Sequence, residues 1–229
     1  MEGFTSYLEL FFLHIPIGMF IFAMMNDTNS EIRNKISDTR TSILYKNYEA
    51  IHANGFHATR TDKVISELGI TKGAFYHYFP DKNSLGYAII DEILYPNFIG
   101  LWLTLEHYNG NVIDGIIACV NKSISYTNEC TVGYGCPVNN LIQEMSSSDQ
   151  GFKERLERII DKQQFIISSA IKKGIKQKQI NKSANPNELA SFIIASIEGS
   201  FALAKVKNNL DFLHSSINQL NNYLKQFKI

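Results

Sequence analysis

Between Thr71 and Lys82 the chain reads Thr-Lys-Gly-Ala-Phe-Tyr-His-Tyr-Phe-Pro-Asp-Lys. On a helix Phe75 and Phe79 share a face, being four residues apart, and Thr71, Lys72, Gly73, Ala74, Tyr76, His77 and Tyr78 fall outside it. The outer set has the chemistry of contact with a polyanion. Lys72 can reach a guanine edge or a phosphate, tyrosine hydroxyls suit phosphate oxygens, and small residues let backbone approach base edges. Lys82 opens the following helix, where a cation beside free backbone amides also favours an anion. Phe75 and Phe79 read as core. Tyr76 and Tyr78 lie on other faces and read as DNA contacts, with core packing as the alternative.

Such a surface needs a scaffold, and residues 37–82 supply one. From Asp38 the run DTRTSILYKNYEAIHANGF places Ile43, Leu44 and Ile51 near a 3.6-residue repeat. Asp38 or Thr39 can cap its start, and Gly55 stands where a helix end takes a left-handed residue. Phe56 turns back as an apolar plug. The hydroxyl of Thr59 is expected to cap the next helix, whose inner face is Val64, Ile65 and Leu68. Gly69 ends that helix after two turns, Ile70 packs inward, and Thr71 caps the third. Two short helices joined by a glycine-containing turn form a helix-turn-helix, whose second helix fits the major groove.

Composition narrows the alternatives. The 229 residues carry 22 Lys plus Arg against 22 Asp plus Glu, so the chain is neither a polybasic tail nor an acidic disordered protein. With 45% hydrophobic residues but 14 Gly and 5 Pro, it reads as globular and all-α, without the turns of a β-sandwich. Three Cys and no CxxC exclude a disulfide scaffold and a tetrathiolate zinc site and point to a reducing, cytoplasmic setting. Charge is uneven: net −3 over 1–30, +2 over 31–82, −6 over 83–149 and +7 over 150–229. A polyanion is therefore expected at 31–82 or at the basic C-terminal third. There is no nucleophile elbow, phosphate loop, HExxH or paired acid–base set, so no catalytic residue, metal or cofactor is assigned.

Residues 1–30 form an apolar extension. The stretch 8–25, LELFFLHIPIGMFIFAMM, lies at the lower length limit of a membrane span, but Pro16 and Gly18 interrupt it and no cation precedes Arg33. It reads as an upstream extension with Met24 or Met25 as the natural start. A membrane or surface anchor and packing onto the body are the alternatives. A membrane partner is not expected, and a membrane-tethered or protein-interaction helical module is the rival to DNA binding.

Taken together, Gly55-Phe56, Thr59, Gly69 through Phe79, Asp81-Lys82 and Leu85 resemble the signature of TetR-family transcriptional regulators, over roughly a fifth of the chain. The resemblance implies an all-helical homodimer whose N-terminal helix-turn-helix domain, residues 31–82 here, binds a palindromic operator. Its C-terminal domain would bind a small effector that lowers DNA affinity, most often making the protein a repressor. By position, Arg60 and Thr61 would touch the operator from the second helix, Thr71, Lys72 and Gly73 would face bases with Ala74 close by, and Tyr76, Tyr78 and Lys82 would hold phosphates. Asp62-Lys63 reverses the basic-then-acidic order frequent in the family.

Residues 83–229 then become the ligand-binding and dimerisation domain. Pro96 is expected to break or kink the connecting helix. Helices are expected over 111–129, 149–178, from Asn185-Pro186 to about 206, and from Leu210 to Phe227. The small residues Ala190, Ala195, Gly199, Ser200, Ala202 and Ala204 would let a second copy approach closely, intrachain packing being the alternative. Trp102, His107, Tyr126, Tyr134 and Gln143 are candidate ligand contacts, as polar or aromatic groups in an apolar cleft. Cys136 is the most distinctive. Gly135-Cys136-Pro137 with Asn140-Leu141 and Glu144 resembles a motif of one TetR subgroup, some members of which sense electrophiles or oxidants, although Val138 and Asn139 depart from it. Cys136 stands ahead of a helix, where amide dipoles could lower a thiol pKa. A buried apolar role, a redox or electrophile trigger and a ligand contact all fit it.

Overall fold

The computed structural model describes residues 39–229. The expectations for the 1–30 extension and for Asp38 lie outside the described residues. Helix α1 spans Thr39–Asn54 and buries Ile43, Leu44 and Ile51. Gly55, at φ +88°, takes the left-handed turn that ends it. Helix α2 spans Thr61–Glu67, and α3 spans Lys72–Tyr78. Gly69, at φ +66°, closes α2, and the Thr71 hydroxyl accepts from the Ala74 amide at 3.1 Å to cap α3. One cap differs from expectation. Thr59 is buried, and its hydroxyl donates back to the Gly55 carbonyl at 2.7 Å, so α2 starts after Arg60 without a side-chain cap. Buried beneath the loop, that hydroxyl takes the nearest acceptor, because an unpaired polar group there would be costly.

Helix α4 (Lys82–Ile89) begins on the Asp81 cap and leads through a π-helical turn at Ile90–Leu94 into α5 (Tyr95–Leu103) and a 3-10 turn at Thr104–His107. Pro96 does not end this helix. The Tyr95 amide reaches back to the Ile90 carbonyl. The widened turn thus comes just before the proline, which sits in the first turn of α5, where a missing N–H costs little.

Beyond it, α6 spans Val112–Ile124, shorter than expected because Asn128 organises a turn by accepting from the amides of Cys130 and Thr131. A 3-10 turn at Val132–Tyr134 and Gly135, at φ +70°, lead into α7 (Pro137–Met145). Helix α8 (Gln150–Lys176) contacts α4, α5, α6 and α7 and pairs along its length with α9 (Pro186–Lys207), which in turn carries α10 (Leu210–Lys225). The described residues thus form a fold with an N-terminal helix-turn-helix domain and a C-terminal helical domain.

One continuous core joins the two parts. Phe56 from the α1–α2 loop meets Phe152 of α8 edge to face, with ring centroids 4.8 Å apart. Both rings press on Gly86 of α4, where a Cβ would lie 2.4 Å from Phe152 and 2.8 Å from Phe56. Gly100 of α5 faces open space. Gly86→Ala should therefore lower stability by about 1–3 kcal/mol through overpacking. Gly100→Ala should raise it by about 0.5–1 kcal/mol through helix entropy. Thermal unfolding of both variants checks this; equal effects would mean that Phe56 and Phe152 do not meet at α4.

Candidate nucleic-acid interface and internal cavity

Helix α3 buries Phe75 and Phe79 and leaves Thr71, Lys72, Gly73, Tyr76 and His77 exposed, with Ala74 and Tyr78 half-buried. Tyr76 is 48% exposed, its ring edge to face with Phe75 at 5.3 Å between centroids. Arg60 is exposed at the start of α2 and Thr61 half-buried beside it. Lys72 lies 3.7 Å from Asp62 of α2, both exposed, in a pair that solvent weakens. This surface-bound Asp62 is the residue that departs from the family order.

Lys82 is placed differently from the rest of that set. Its Nζ donates to the carbonyls of Thr59 (2.6 Å) and His57 (3.2 Å) and stands 4.8 Å above the Phe56 ring. From the opposite side Glu144 of α7 takes the amides of the same loop. Its Oε2 accepts from Phe56 N and its Oε1 from His57 N, each at 2.7 Å, with His57 Nδ1 at 2.8 Å. Burial by itself would raise the Glu144 carboxyl, but these donors outweigh it and leave the group below its ordinary value. Two further ties join the parts. Arg40 of α1 makes a bidentate pair with Glu92 at 2.6 and 2.7 Å, and His52 Nε2 lies 2.8 Å from the Gly135 carbonyl. A carbonyl only accepts, so Nε2 carries the proton. Burial holds the His52 ring below its usual pKa, against the opposing effect of this bond, and the ring stays neutral at pH 7.

A cavity of about 1120 Å³ lies between α1 and the C-terminal helices. Tyr45, Tyr48, Glu49 and His52 line it from α1, and Trp102, Tyr126, Cys136, Glu198 and Phe201 from the C-terminal part. Of the residues singled out from the sequence, the structure brings Trp102, Tyr126, Tyr134 and Cys136 together at this cavity. His107 and Gln143 do not reach it. His107 is exposed in the 3-10 turn after α5, and Gln143 is exposed on α7, 3.5 Å from the Asn139 side chain. The sequence placed Gln143 on the right helix but said nothing of which face met the cavity, and gave His107 no element at all.

Cys136 does cap α7, with its sulfur 3.5 Å from the Asn139 amide. Of the readings open to it, the burial fits the apolar one, and the amide dipoles do not lower its thiol pKa. Cys136 is buried, and burial together with the neighbouring Glu198 carboxyl pushes the thiol well above its ordinary pKa, outweighing the amides. The thiolate is the nucleophile, so this sulfur is held in its unreactive form.

Residues 47–89 match the family described as bacterial regulatory proteins, tetR family, and residues 113–220 match the tetracyclin repressor-like C-terminal domain. An uncharacterized HTH-type transcriptional regulator in the lacX 3' region of Lactococcus lactis subsp. lactis is 27% identical, over 81% of this chain and 92% of its own. The HTH-type transcriptional repressor NemR of Escherichia coli (strain K12) is 20% identical, over 82% of this chain and 94% of its own. A TetR transcriptional regulator from Chloroflexus aurantiacus J-10-FL superposes with a TM-score of 0.73 at 23% identity, covering 85% of this chain and 98% of that one. This chain belongs to the TetR family and is a DNA-binding transcriptional regulator.

Two outcomes follow from the geometry. Glu144→Ala should cost about 1–3 kcal/mol at neutral pH, since it leaves two loop amides without their acceptor. Because the folded carboxyl titrates below its unfolded value, this contribution is complete above the ordinary carboxylate range and is lost as pH falls through the lowered value. The difference in Tm between wild type and variant should thus close in acid; a constant difference would remove the clamp. Secondly, alkylation by iodoacetamide at pH 7, followed by mass spectrometry, should label exposed Cys130 well before buried Cys136. Faster labelling of Cys136 would contradict the raised thiol.

Proposed function

We propose that the protein is a homodimeric, cytoplasmic repressor that leaves a palindromic operator when a small molecule fills the cavity between α1 and the C-terminal helices. The observation that carries this reading is the lining of that cavity. One wall belongs to the helix that supports the helix-turn-helix, and the other to the body. A ligand pressing on Tyr48 and His52 would displace α1 against the Gly135 carbonyl, and α2 and α3 move with α1 through their shared core. This is a population shift, in which the ligand favours the arrangement that no longer fits the operator.

In the operator-bound state Thr71, Lys72 and Gly73 face base edges, with Ala74 close by. Arg60, Thr61, Tyr76 and Tyr78 contact the backbone. Lys82 chiefly holds the 55–59 loop and keeps one N–H for a phosphate. Trp102, Tyr126, Tyr134 and Cys136 contribute to the effector pocket, and His107 and Gln143 do not.

A second copy is assigned to α9 and α10. Phe192, Ala195, Gly199, Ala202, Leu203 and Val206 recur at helical spacing on α9, all exposed, Leu203 by 54% and Val206 by 81%. Tyr223 of α10 extends the patch, its ring centroid 5.0 Å from that of Phe192. Such a stripe would aggregate if left bare. Although α9 is apolar enough for a membrane span, at mean hydropathy 1.5, its small residues suit close helix–helix approach. Two recognition helices about 34–36 Å apart would then meet successive major grooves.

The test is a mobility shift on the DNA upstream of the chain's own gene. Lys72→Ala with Tyr76→Phe should weaken binding about tenfold and make its salt dependence shallower. Val206→Asp should yield monomers by light scattering and weaken binding further. Unchanged affinity in the first variant would mean that another surface reads the operator.

A further inference from the structure

The wall of the cavity holds two polar atoms that the protein leaves unsatisfied. Oε2 of Glu198 and the hydroxyl of Tyr126 are both buried without a hydrogen-bond partner among the described residues. Glu198 sits on the inner side of α9 between Ile197 and the helix's small residues, beside Cys136, and its backbone carbonyl accepts from Asn139 at 3.3 Å. Burial pushes its carboxyl up to about 7, opposed only by the neighbouring thiol. No lysine or arginine acts on it. Of the basic residues lining the cavity, Lys46 stands near Glu49 (3.8 Å) and Glu67 (3.6 Å), Lys63 near Glu67 (3.9 Å), Lys122 lies over the Tyr126 ring at 4.5 Å and Arg60 is exposed, and none forms an ion pair with Glu198. Glu49, on the opposite wall, is likewise held above its ordinary value by burial. Glu198 thus lines the cavity without a basic partner among the described residues, in company with the aromatic side chains of Tyr48, Phe98, Trp102, Tyr126 and Phe201.

A buried carboxylate is tolerated only when paired, and aromatic faces attract cations. We propose that the cavity takes an amphipathic organic cation, an aromatic or cyclic apolar body ending in a protonated amine that donates to Glu198. This inference rests on the reading of the cavity as the effector site. The amine supplies the donor and the positive charge that Glu198 lacks, and the body fills the aromatic space. A carboxylate-bearing ligand of the same shape meets a like charge, and a neutral alcohol meets the hydrogen bond without the charge.

Calorimetric titration of the full chain with 4-phenylbutylamine, 4-phenylbutanol and 4-phenylbutyrate tests it, because the three share one body and differ in the terminal group. The amine should bind about tenfold more tightly than the alcohol, with the carboxylate weakest. Glu198→Gln, which keeps the side chain's shape, should remove the amine's advantage and leave alcohol binding unchanged, which also shows that the variant is folded. Equal binding of amine and alcohol, tightest binding of the carboxylate, no binding of the amine, or an advantage that survives Glu198→Gln would each overturn the proposal. Operator release is read separately by mobility shift. Amine binding without release would leave the cation site standing and remove its role as the effector site. Release by the carboxylate but not by the amine would do the reverse.

Discussion

The structure depends on how the loop between α1 and α2 is held. Residues 55–59 connect the helix that supports the recognition unit to the unit itself, and they offer backbone groups on both sides. Lys82 takes the carbonyls of His57 and Thr59, and Glu144 takes the amides of Phe56 and His57. Phe56 is seated between them against Phe152 and the bare backbone of Gly86. Charge-assisted bonds to main chain leave few rotational alternatives. The orientation of α2 and α3 is consequently set by α4, at the end of the N-terminal match, and by α7 of the C-terminal part.

That arrangement gives the cavity its leverage. Its α1 wall and its body wall are tied at His52 and Gly135, one residue before Cys136 and close to Glu198. In the proposed mechanism whatever fills the space acts on α1 directly, and α1 packs against α2 and α3. That mechanism needs no long relay of side chains, because one wall of the cavity and the support of α3 are the same helix.

Much of this was legible in the residues. The turn chemistry of Gly55, Gly69 and Thr71, with the spacing of Phe75 and Phe79, defined α1 to α3 because each is a local backbone requirement. Long amphipathic patterns located α8 and α10 equally well, and the Asn185-Pro186 start located α9. What escaped were contacts between distant segments. Thr59 looks like a cap until the buried loop offers it the Gly55 carbonyl. Lys82 looks like a free cation until the His57 and Thr59 carbonyls lie in front of it. The possibility of an activated Cys136 considered only its own helix, while burial and then Glu198, 62 residues away in sequence, push the thiol the other way. Glu198 itself had a signal: it is the one acidic residue in IIASIEGSFALA, and the small residues around it drew attention to the outer face alone. Similarly, Pro96 suggested a break because the compensating π turn depends on packing rather than on composition.

Amide hydrogen exchange of the full chain, with and without the duplex upstream of its gene, bears most directly on the claim that α3, aimed by the clamped loop, reads DNA. The account predicts new protection concentrated at 60–61 and 71–78, with the basic outer face of α8 unchanged. Protection confined to 150–229, with 71–78 exchanging as in the free protein, would contradict it.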